Sequence, residues 1–226
     1  MINQLHARFH RPQDGWDPVP MAHAAKYADA EWAAIDERLI DIIEKWIGGF
    51  AGKRVLDLGA GPGQYSVAFA RRGASVTWHD VSNKYQDYAR EKALQFNVSD
   101  QIHFSLGYMD HAADMLPDRY DLIFNRICWC YSMTDDTFAD MLYGLVAPGG
   151  FAYVDTTHSA FRQDQLSLWG RGTTWLNSTI GFKVGHPHPP RGRIAKLFMR
   201  HPLRKITVDY GAKWNDRIWF EKSALA

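Results

Sequence analysis

Hydrophobic residues occur along the middle of this chain in two alternating patterns. Short continuous apolar runs predict buried strands, and longer segments with apolar residues three or four apart predict amphipathic helices. The runs predict five strands with three helices among them: strands at 54–58, 75–79, 101–105, 120–124 and 151–154, helices at 64–72, 83–96 and 134–146. Ser82 stands where the N-cap of the second helix is expected. Strands alternating with helices are typical of an α/β fold with a parallel sheet covered on both faces.

The two ends of the chain have other patterns. Residues 1–20 are polar and proline-containing, which predicts an extended arm, and they lack the apolar core of a signal peptide. Residues 22–47 carry helix formers with apolar side chains on one face, which predicts a leading helix ended by Gly48 and Gly49. The last third predicts an insertion or lid at 161–190, a short helix at 193–199, and a hairpin of strands at 206–210 and 217–221.

Composition narrows the function class only a little. The chain has 226 residues with 46% hydrophobic residues and a net charge of +1, which fits one decorated domain or two small ones and favours neither nucleic acid nor a membrane as partner. Its two cysteines, Cys128 and Cys130, make neither a disulfide framework nor a zinc site, and we expect them to be buried. We therefore expect a cytoplasmic protein without a membrane-spanning segment.

A glycine-rich loop carries the first candidate chemistry. Gly59–Gln64 reads GAGPGQ, follows the first strand and precedes a helix, and the next strand is followed by Asp80. That layout is typical of a Rossmann nucleotide site. The dinucleotide fingerprint is G-x-G-x-x-G, but here the third glycine comes one place early and Pro62 removes an amide donor. The loop therefore favours a compact ligand with no phosphate at that point.

Several motifs in order resemble the class I S-adenosylmethionine-dependent methyltransferases. They are VLDLGAGPG, Asp80, DRYDLIFN at 118–125, LYGLVAPGGFAYVD at 142–155, and the closing pair of strands. The resemblance covers roughly residues 50–222. It implies a doubly wound, mostly parallel seven-stranded sheet with a C-terminal antiparallel hairpin, and S-adenosyl-L-methionine as cofactor. The domain boundaries that follow are 1–50 for an N-terminal arm and helical cap and 51–222 for the methyltransferase domain, with 156–192 as a lid or acceptor-site insertion.

The resemblance also implies where the cofactor binds. Asp80 and Val81 should hold the ribose and adenine, and Asn125 should lie near the methionine end. Tyr27 and Trp32 would cover the cofactor, with ordinary packing as the alternative. The residues expected around the methionine part are Asp57, Gly59, Ala60, Gly61 and Gly63.

The adenine edge departs from the family pattern. The family usually reads adenine with an acidic residue after the third strand, but that position holds Tyr108 and Met109, and Asp110 follows them. Either Asp110 reaches the adenine amino group through a shifted loop, or backbone atoms read the base. Both alternatives stay open on the sequence.

Methyl transfer is an in-line displacement at a sulfonium carbon, so the protein must align the acceptor and, for a hydroxyl, remove its proton. His158 follows the fifth strand, at the sheet edge where ligands of open α/β folds bind, and is the predicted general base. No metal is expected, because only Asp155 is acidic near that strand. The residues assigned to the acceptor site are Trp129, His186, His188, Arg191 and Arg193, with a solvated loop as the alternative for the two histidines.

Charge distribution suggests the kind of acceptor. Residues 165–208 contain no Asp or Glu but many Lys and Arg. Such a stretch indicates either an anionic acceptor or a basic segment that balances acids elsewhere. We expect a small polar acceptor with anionic character. O-methylation is favoured over N-methylation. The alternatives are an RNA methyltransferase, a non-catalytic cofactor-binding regulatory protein and a nicotinamide dehydrogenase. An RNA or DNA base is disfavoured because the Asn-Pro-Pro-aromatic signature is missing at Asn125.

Overall fold

The sheet of this protein has seven strands. A computed structural model describes residues 2–116, 118–161 and 166–225. The strand order is β3-β2-β1-β4-β5-β7-β6. The pairs β1–β2, β1–β4 and β2–β3 are parallel, whereas β7 pairs antiparallel with both β5 and β6. The predicted α/β fold, with a mostly parallel sheet and a closing hairpin, is confirmed. The bounds of the strands are β1 Arg54–Leu58, β2 Ser75–Asp80, β3 Ile102–Leu106, β4 Tyr120–Arg126, β5 Val146–Thr157, β6 Leu203–Asp209 and β7 Asn215–Lys222.

The chain divides into two compact units, and the first is His10–Phe124. Its core is apolar: Val55, Leu56 and Leu58 of β1 are all fully buried, as parallel strands covered on both faces require. Ser82 caps α5, since its Oγ accepts a hydrogen bond of 3.3 Å from Tyr85 N. The helices of this unit are α2 Met21–Ala33, α3 Glu37–Ile47, α4 Gln64–Arg71, α5 Asn83–Gln95 and α6 Ala112–Met115.

The second unit combines Met1–Phe9 with Asn125–Ala226. Its fully buried side chains include Tyr153, Phe198 and Phe220. The division falls inside β4 rather than near residue 50, so the predicted boundary at residue 50 stays a prediction. The helices of this unit are α1 Ile2–Phe9, α7 Asp135–Leu145, α8 Leu168–Ile180 and α9 Arg193–Phe198.

Two predicted elements are wrong in part, and a third contains a helix that the sequence did not predict. The arm at 1–20 contains α1, whose Asn3 side chain donates to the carbonyl oxygen of Gly185 at 3.0 Å, a contact distant in the sequence. The leading helix is two helices, because Asp36 interrupts it and its carboxylate caps α3 by accepting from Leu39 N at 3.0 Å. The expected lid at 161–190 contains α8, which includes two glycines that lower helix propensity.

Candidate active site

The glycine loop joins β1 to α4 and is held against β2. The amides of Gly59 and Ala60 both donate to the carbonyl oxygen of His79, at 2.8 and 3.1 Å. Gly61 and Gly63 have φ values of +51° and +80°, which favour glycine. A Cβ on Gly63 would lie 2.6 Å from the Cβ of Ala89 in α5, whereas a Cβ on Gly61 would have nothing within 4 Å. Gly63 therefore allows close packing, and Gly61 borders open space.

Two indole groups hold the same loop through its carbonyl oxygens. Trp78 of β2 donates from Nε1 to the Gly61 oxygen at 3.0 Å, and Trp32 of α2 donates from Nε1 to the Pro62 oxygen at 3.0 Å. Because Pro62 has no amide hydrogen, its carbonyl is the only backbone group through which it can be hydrogen-bonded. Trp32 of the leading helix therefore contacts the glycine loop, and its expected role of covering the cofactor stays a prediction. Tyr27 instead is half-exposed, with its ring 5.7 Å from that of Tyr85.

Asp80 lies at the end of β2 and faces the loop. Its Oδ2 accepts from Gly61 N at 2.9 Å, and its Oδ1 accepts from Ser82 N at 3.0 Å. Desolvation raises the pKa of Asp80, the backbone donors of Gly61, Ser82 and Val81 lower it, and the charge of Asp17 raises it further. A carboxylate offers about four lone-pair sites, so these backbone donors still leave acceptor capacity for a ligand hydroxyl.

Asp57, the last acid before the loop, is buried inside the fold. It is 3% exposed, and its Oδ2 accepts a hydrogen bond of 2.6 Å from Ser66 Oγ of α4. Burial raises the pKa of Asp57 to about 7, the Ser66 hydroxyl opposes that shift, and the nearby charge of Asp80 adds to it. The carboxyl group is therefore about half protonated at neutral pH.

The segment after β3, expected at the adenine edge, is positioned by aromatic and histidine contacts. The Tyr108 ring stacks on Trp16 with centroids 6.0 Å apart, and its hydroxyl donates to the His10 carbonyl oxygen at 2.8 Å. Met109 is buried, and Asp110 lies in the same 3-10 turn. His79 contacts this segment, since its Nε2 lies 3.3 Å from the Tyr108 carbonyl oxygen.

The charge state of His79 fits this positioning. Its Nδ1 lies 3.0 Å from Ser105 Oγ, and burial lowers the pKa of His79 to about 4. The ring is therefore neutral at pH 7. A neutral ring donates its one proton to the Tyr108 carbonyl oxygen and accepts the Ser105 hydroxyl hydrogen.

Residues before α2 also contact the start of α5, next to Asp80. The prediction of an extended arm did not indicate these contacts. The Asp17 carboxylate accepts from Ser82 Oγ at 3.1 Å and from Lys84 N at 3.0 Å, so it supports the N-terminus of α5 next to Asp80. Asn83 donates from Nδ2 to the Pro12 carbonyl oxygen at 3.1 Å. Neither Asp17 nor Asn83 contributes to a hydrophobic pattern, so the sequence alone does not predict these contacts.

The second unit contains the predicted base and acceptor residues. His158 is 3% exposed and follows β5, and its Nδ1 accepts from Ala160 N at 3.3 Å. His188 is half-buried, and burial together with the charges of Lys183 and His158 lowers its pKa against the opposing effect of the Thr157 carbonyl. The ring of His186 lies 4.8 Å from the ring of Tyr131.

The predicted acceptor arginines have acidic partners. Arg191 Nε lies 3.7 Å from Asp216 Oδ1, and Arg193 Nε lies 3.1 Å from the buried Asp135 Oδ2. Arginines 200 and 204 likewise pair with acids at 136 and 221. This pairing supports the second interpretation of the acid-free stretch, in which its positive charges balance acids elsewhere.

Two other predicted site residues, Trp129 and Asn125, are buried. Trp129 is 1% exposed, its Nε1 donates to Asp135 Oδ1 at 3.1 Å, and its ring packs edge-on against Phe138. Its predicted acceptor contact therefore has no support in the structure, which places it in the core. Asn125 is fully buried, and its Nδ2 donates to Cys128 Sγ at 3.0 Å.

Neither a metal cluster nor a membrane helix is found in the described part of the chain. Residues 2–116, 118–161 and 166–225 contain no group of three or more His, Cys, Asp or Glu side chains arranged to hold a metal ion. Within the same ranges no helix combines the length and the apolarity that crossing a bilayer needs.

A family model described as a methyltransferase domain matches residues 55–150. Residues 55–150 therefore match a methyltransferase domain, and the seven-stranded sheet has the fold of the class I methyltransferases. Its matched region runs from β1 through the glycine loop and Asp80 into β5. S-adenosylmethionine is the cofactor of this domain, and the loop and the Asp80 carboxylate fit a ligand with ribose hydroxyls and no diphosphate.

Relatives of this methyltransferase domain include a ubiquinone biosynthesis O-methyltransferase from Aeromonas salmonicida, 32% identical over 122 residues. That match covers 52% of the chain and 48% of the relative, so the chain spans about half the length of this curated relative.

Two solved structures share the fold of the methyltransferase domain. An O-methyltransferase family protein from Burkholderia thailandensis has a TM-score of 0.61 at 20% identity, covering 90% of this chain and 61% of that one. A candidate S-adenosylmethionine-dependent methyltransferase from Methanococcus maripaludis has a TM-score of 0.63 at 18% identity, covering 88% and 92%. At these identities the two structures show the fold alone.

Proposed function

We propose that this protein transfers the methyl group of S-adenosylmethionine to an oxygen atom of a small polar acceptor. The methyltransferase domain at 55–150 carries the proposal. Relatives about 30% identical are named O-methyltransferases of ubiquinone biosynthesis, which favours oxygen over nitrogen and a small molecule over RNA.

The cofactor would be held by residues of the His10–Phe124 unit. Asp80 would accept hydrogen bonds from both ribose hydroxyls, and Gly61, which borders open space, would let the backbone approach the methionine part. Tyr108 and Met109 would flank the adenine, and Asp57 would face the positively charged end of the cofactor when ionised. When bound, the cofactor supplies an activated methyl group on a positively charged sulfur, so the protein needs only to align the acceptor and remove its proton.

The acceptor is proposed to be polar and, at the reacting group, a hydroxyl. The histidines His158 and His188 supply the polar groups for such an acceptor. An anionic acceptor receives less support, because the carboxylate partners of Arg191 and Arg193 already neutralise them.

Cofactor binding is tested by calorimetry with S-adenosylmethionine, and with NAD as the competing cofactor. We expect binding of the first only, and Asp80→Asn to weaken it about 10-fold to 100-fold, since a charge-assisted hydrogen bond contributes roughly 1.5–3 kcal/mol. The exposed Asp100→Asn is the matched control. Equal affinity of Asp80→Asn and the wild-type protein would remove Asp80 from the ribose site.

The acceptor is tested by transfer of a radioactive methyl group to fractionated cell extract. Fractions of phenolic compounds, anionic metabolites, sugars and RNA are compared. Label in a base-stable ether of a small hydroxylated compound supports the proposal. Label in RNA, with a steep salt dependence, would support the RNA alternative instead, and cofactor binding without transfer to any fraction would support a regulatory protein.

A further inference from the structure

Two histidine nitrogens in the second unit are buried without a hydrogen-bond partner among the described residues. They are Nε2 of His158 and Nδ1 of His188. Because neither atom has a hydrogen-bond partner among the described residues, the two atoms do not bond each other. A buried polar atom without a partner costs about 1–3 kcal/mol, and a bound ligand or a catalytic role is one explanation for such an atom.

The remaining nitrogens determine which of these two atoms carries hydrogen. His158 Nδ1 accepts the Ala160 amide hydrogen, so the proton of a neutral ring sits on Nε2, which becomes a donor. The Thr157 carbonyl raises the pKa of His188, which indicates that it accepts a hydrogen bond from the ring. Because Nδ1 has no partner among the described residues, the hydrogen in that bond belongs to Nε2. His188 Nδ1 is therefore an acceptor with a free lone pair.

The backbone brings the two rings into one cluster. Ser159 N donates to the Pro189 carbonyl oxygen at 2.8 Å, which ties the turn after His158 to the segment after His188. The Phe161 ring lies edge-on to His188, with centroids 5.9 Å apart, and at the same distance from the half-exposed Trp214 ring. Aromatic edges beside one donor and one acceptor fit a hydroxyl group on a flat, apolar body.

We propose that the His158–His188 pair binds the methyl-accepting hydroxyl, with His158 as hydrogen-bond donor and His188 as general base. The inference rests on the proposed function, and it moves the role of base from His158, where the sequence analysis put it, to His188. His158 Nε2–H donates to the hydroxyl oxygen, and the hydroxyl donates to His188 Nδ1. As the oxygen forms its bond to the methyl carbon, its proton passes to Nδ1, while the carbon–sulfur bond breaks and its electron pair stays on sulfur.

The charged surroundings of His188 suit this role. Burial and the positive charge of Lys183 lower the pKa of His188, against the Thr157 carbonyl, so the ring is neutral at pH 7 and its lone pair is available. The rate is therefore expected to fall as the pH drops through the pKa of His188. Lys183 itself pairs with Asp135 at 3.2 Å, so its position is fixed.

The tautomers are measured directly by NMR of the full chain with nitrogen-15 histidine, assigned with His158→Gln and His188→Gln. We expect the hydrogen of the neutral form of each ring to be on Nε2. Phenol, added as a probe at millimolar concentration, should shift His158 Nε2 and His188 Nδ1 and leave the exposed His103 unchanged. Hydrogen on Nδ1 of either ring, or no response of either ring to phenol, would overturn the proposal.

Kinetics separate the two roles once an acceptor is identified by methyl transfer. His188→Gln should lower kcat about 100-fold or more, and His158→Gln, whose amide retains a donor, should mainly raise KM. His103→Gln is the matched control. Unchanged kcat in His188→Gln would remove it as the base. Calorimetry with S-adenosylmethionine accompanies each variant, because failure to bind the cofactor would contradict the proposed function, whereas the NMR result judges the histidine pair independently.

Discussion

The buried carboxyl of Asp57 makes the stability of the cofactor-free protein depend on pH. Its pKa is about 7 in the folded chain against 3.8 for the unperturbed group. The folded state therefore holds the proton more tightly, and the stabilisation this provides is present at low pH and is lost as the pH rises from about 4 to about 7. Replacing Asp57 by Asn removes that titration and keeps an acceptor for the Ser66 hydroxyl.

The size of the change in unfolding free energy follows from the pKa shift of Asp57. The difference of 7 and 3.8 is about 3 pKa units, of which about two are crossed between pH 5 and pH 8. At 1.36 kcal/mol per unit, Asp57 should account for about 3 kcal/mol of lost unfolding free energy over that interval.

Urea unfolding of the wild-type protein, Asp57→Asn and the exposed control Asp100→Asn at pH 5 and pH 8 measures this effect. We expect the unfolding free energy of the wild type and the control to fall more from pH 5 to pH 8 than that of Asp57→Asn, by about 3 kcal/mol. The same pH dependence in all three proteins would refute the reasoning, since the Asp57 carboxyl would then titrate near its ordinary pKa.

Three further substitutions test the loops around the site. Ile127, just after β4, has a φ of +60°, which is strained for a residue with a side chain. Ile127→Gly should therefore raise the unfolding free energy by about 1 kcal/mol, whereas the control Ile42→Gly in α3 should lower it. Thermal unfolding of the two variants measures the difference. Trp32→Phe removes the donor to the Pro62 oxygen and should weaken S-adenosylmethionine binding several-fold in calorimetry; equal affinity would show that this bond does not position the loop. Lys183→Met leaves a buried carboxylate without one cation and should cost about 3–5 kcal/mol in urea unfolding; a neutral result would mean that the remaining partners suffice.

Local patterns explain why much of the sheet was predictable. The helix α4 begins at Gln64 as expected, and β1 spans 54–58 as expected, because a buried apolar run followed by glycines allows few other conformations. The break at Asp36 was not predicted, because this capping residue lies inside a segment whose apolar periodicity favours one continuous helix. The helix α8 was not predicted, because its glycines lower helix propensity.

Residue types at fixed short spacings are enough to predict the α/β fold, the glycine loop and the position of Asp80. Folding brings Trp32 and Trp78 against the loop and pairs Arg191 and Arg193 with acids. It also leaves two buried histidine nitrogens without a hydrogen-bond partner among the described residues. These facts depend on side chains far apart in the chain. Hydrogen bonds and ion pairs form within about 3–4 Å, and which groups come that close is settled by packing, which no local pattern encodes.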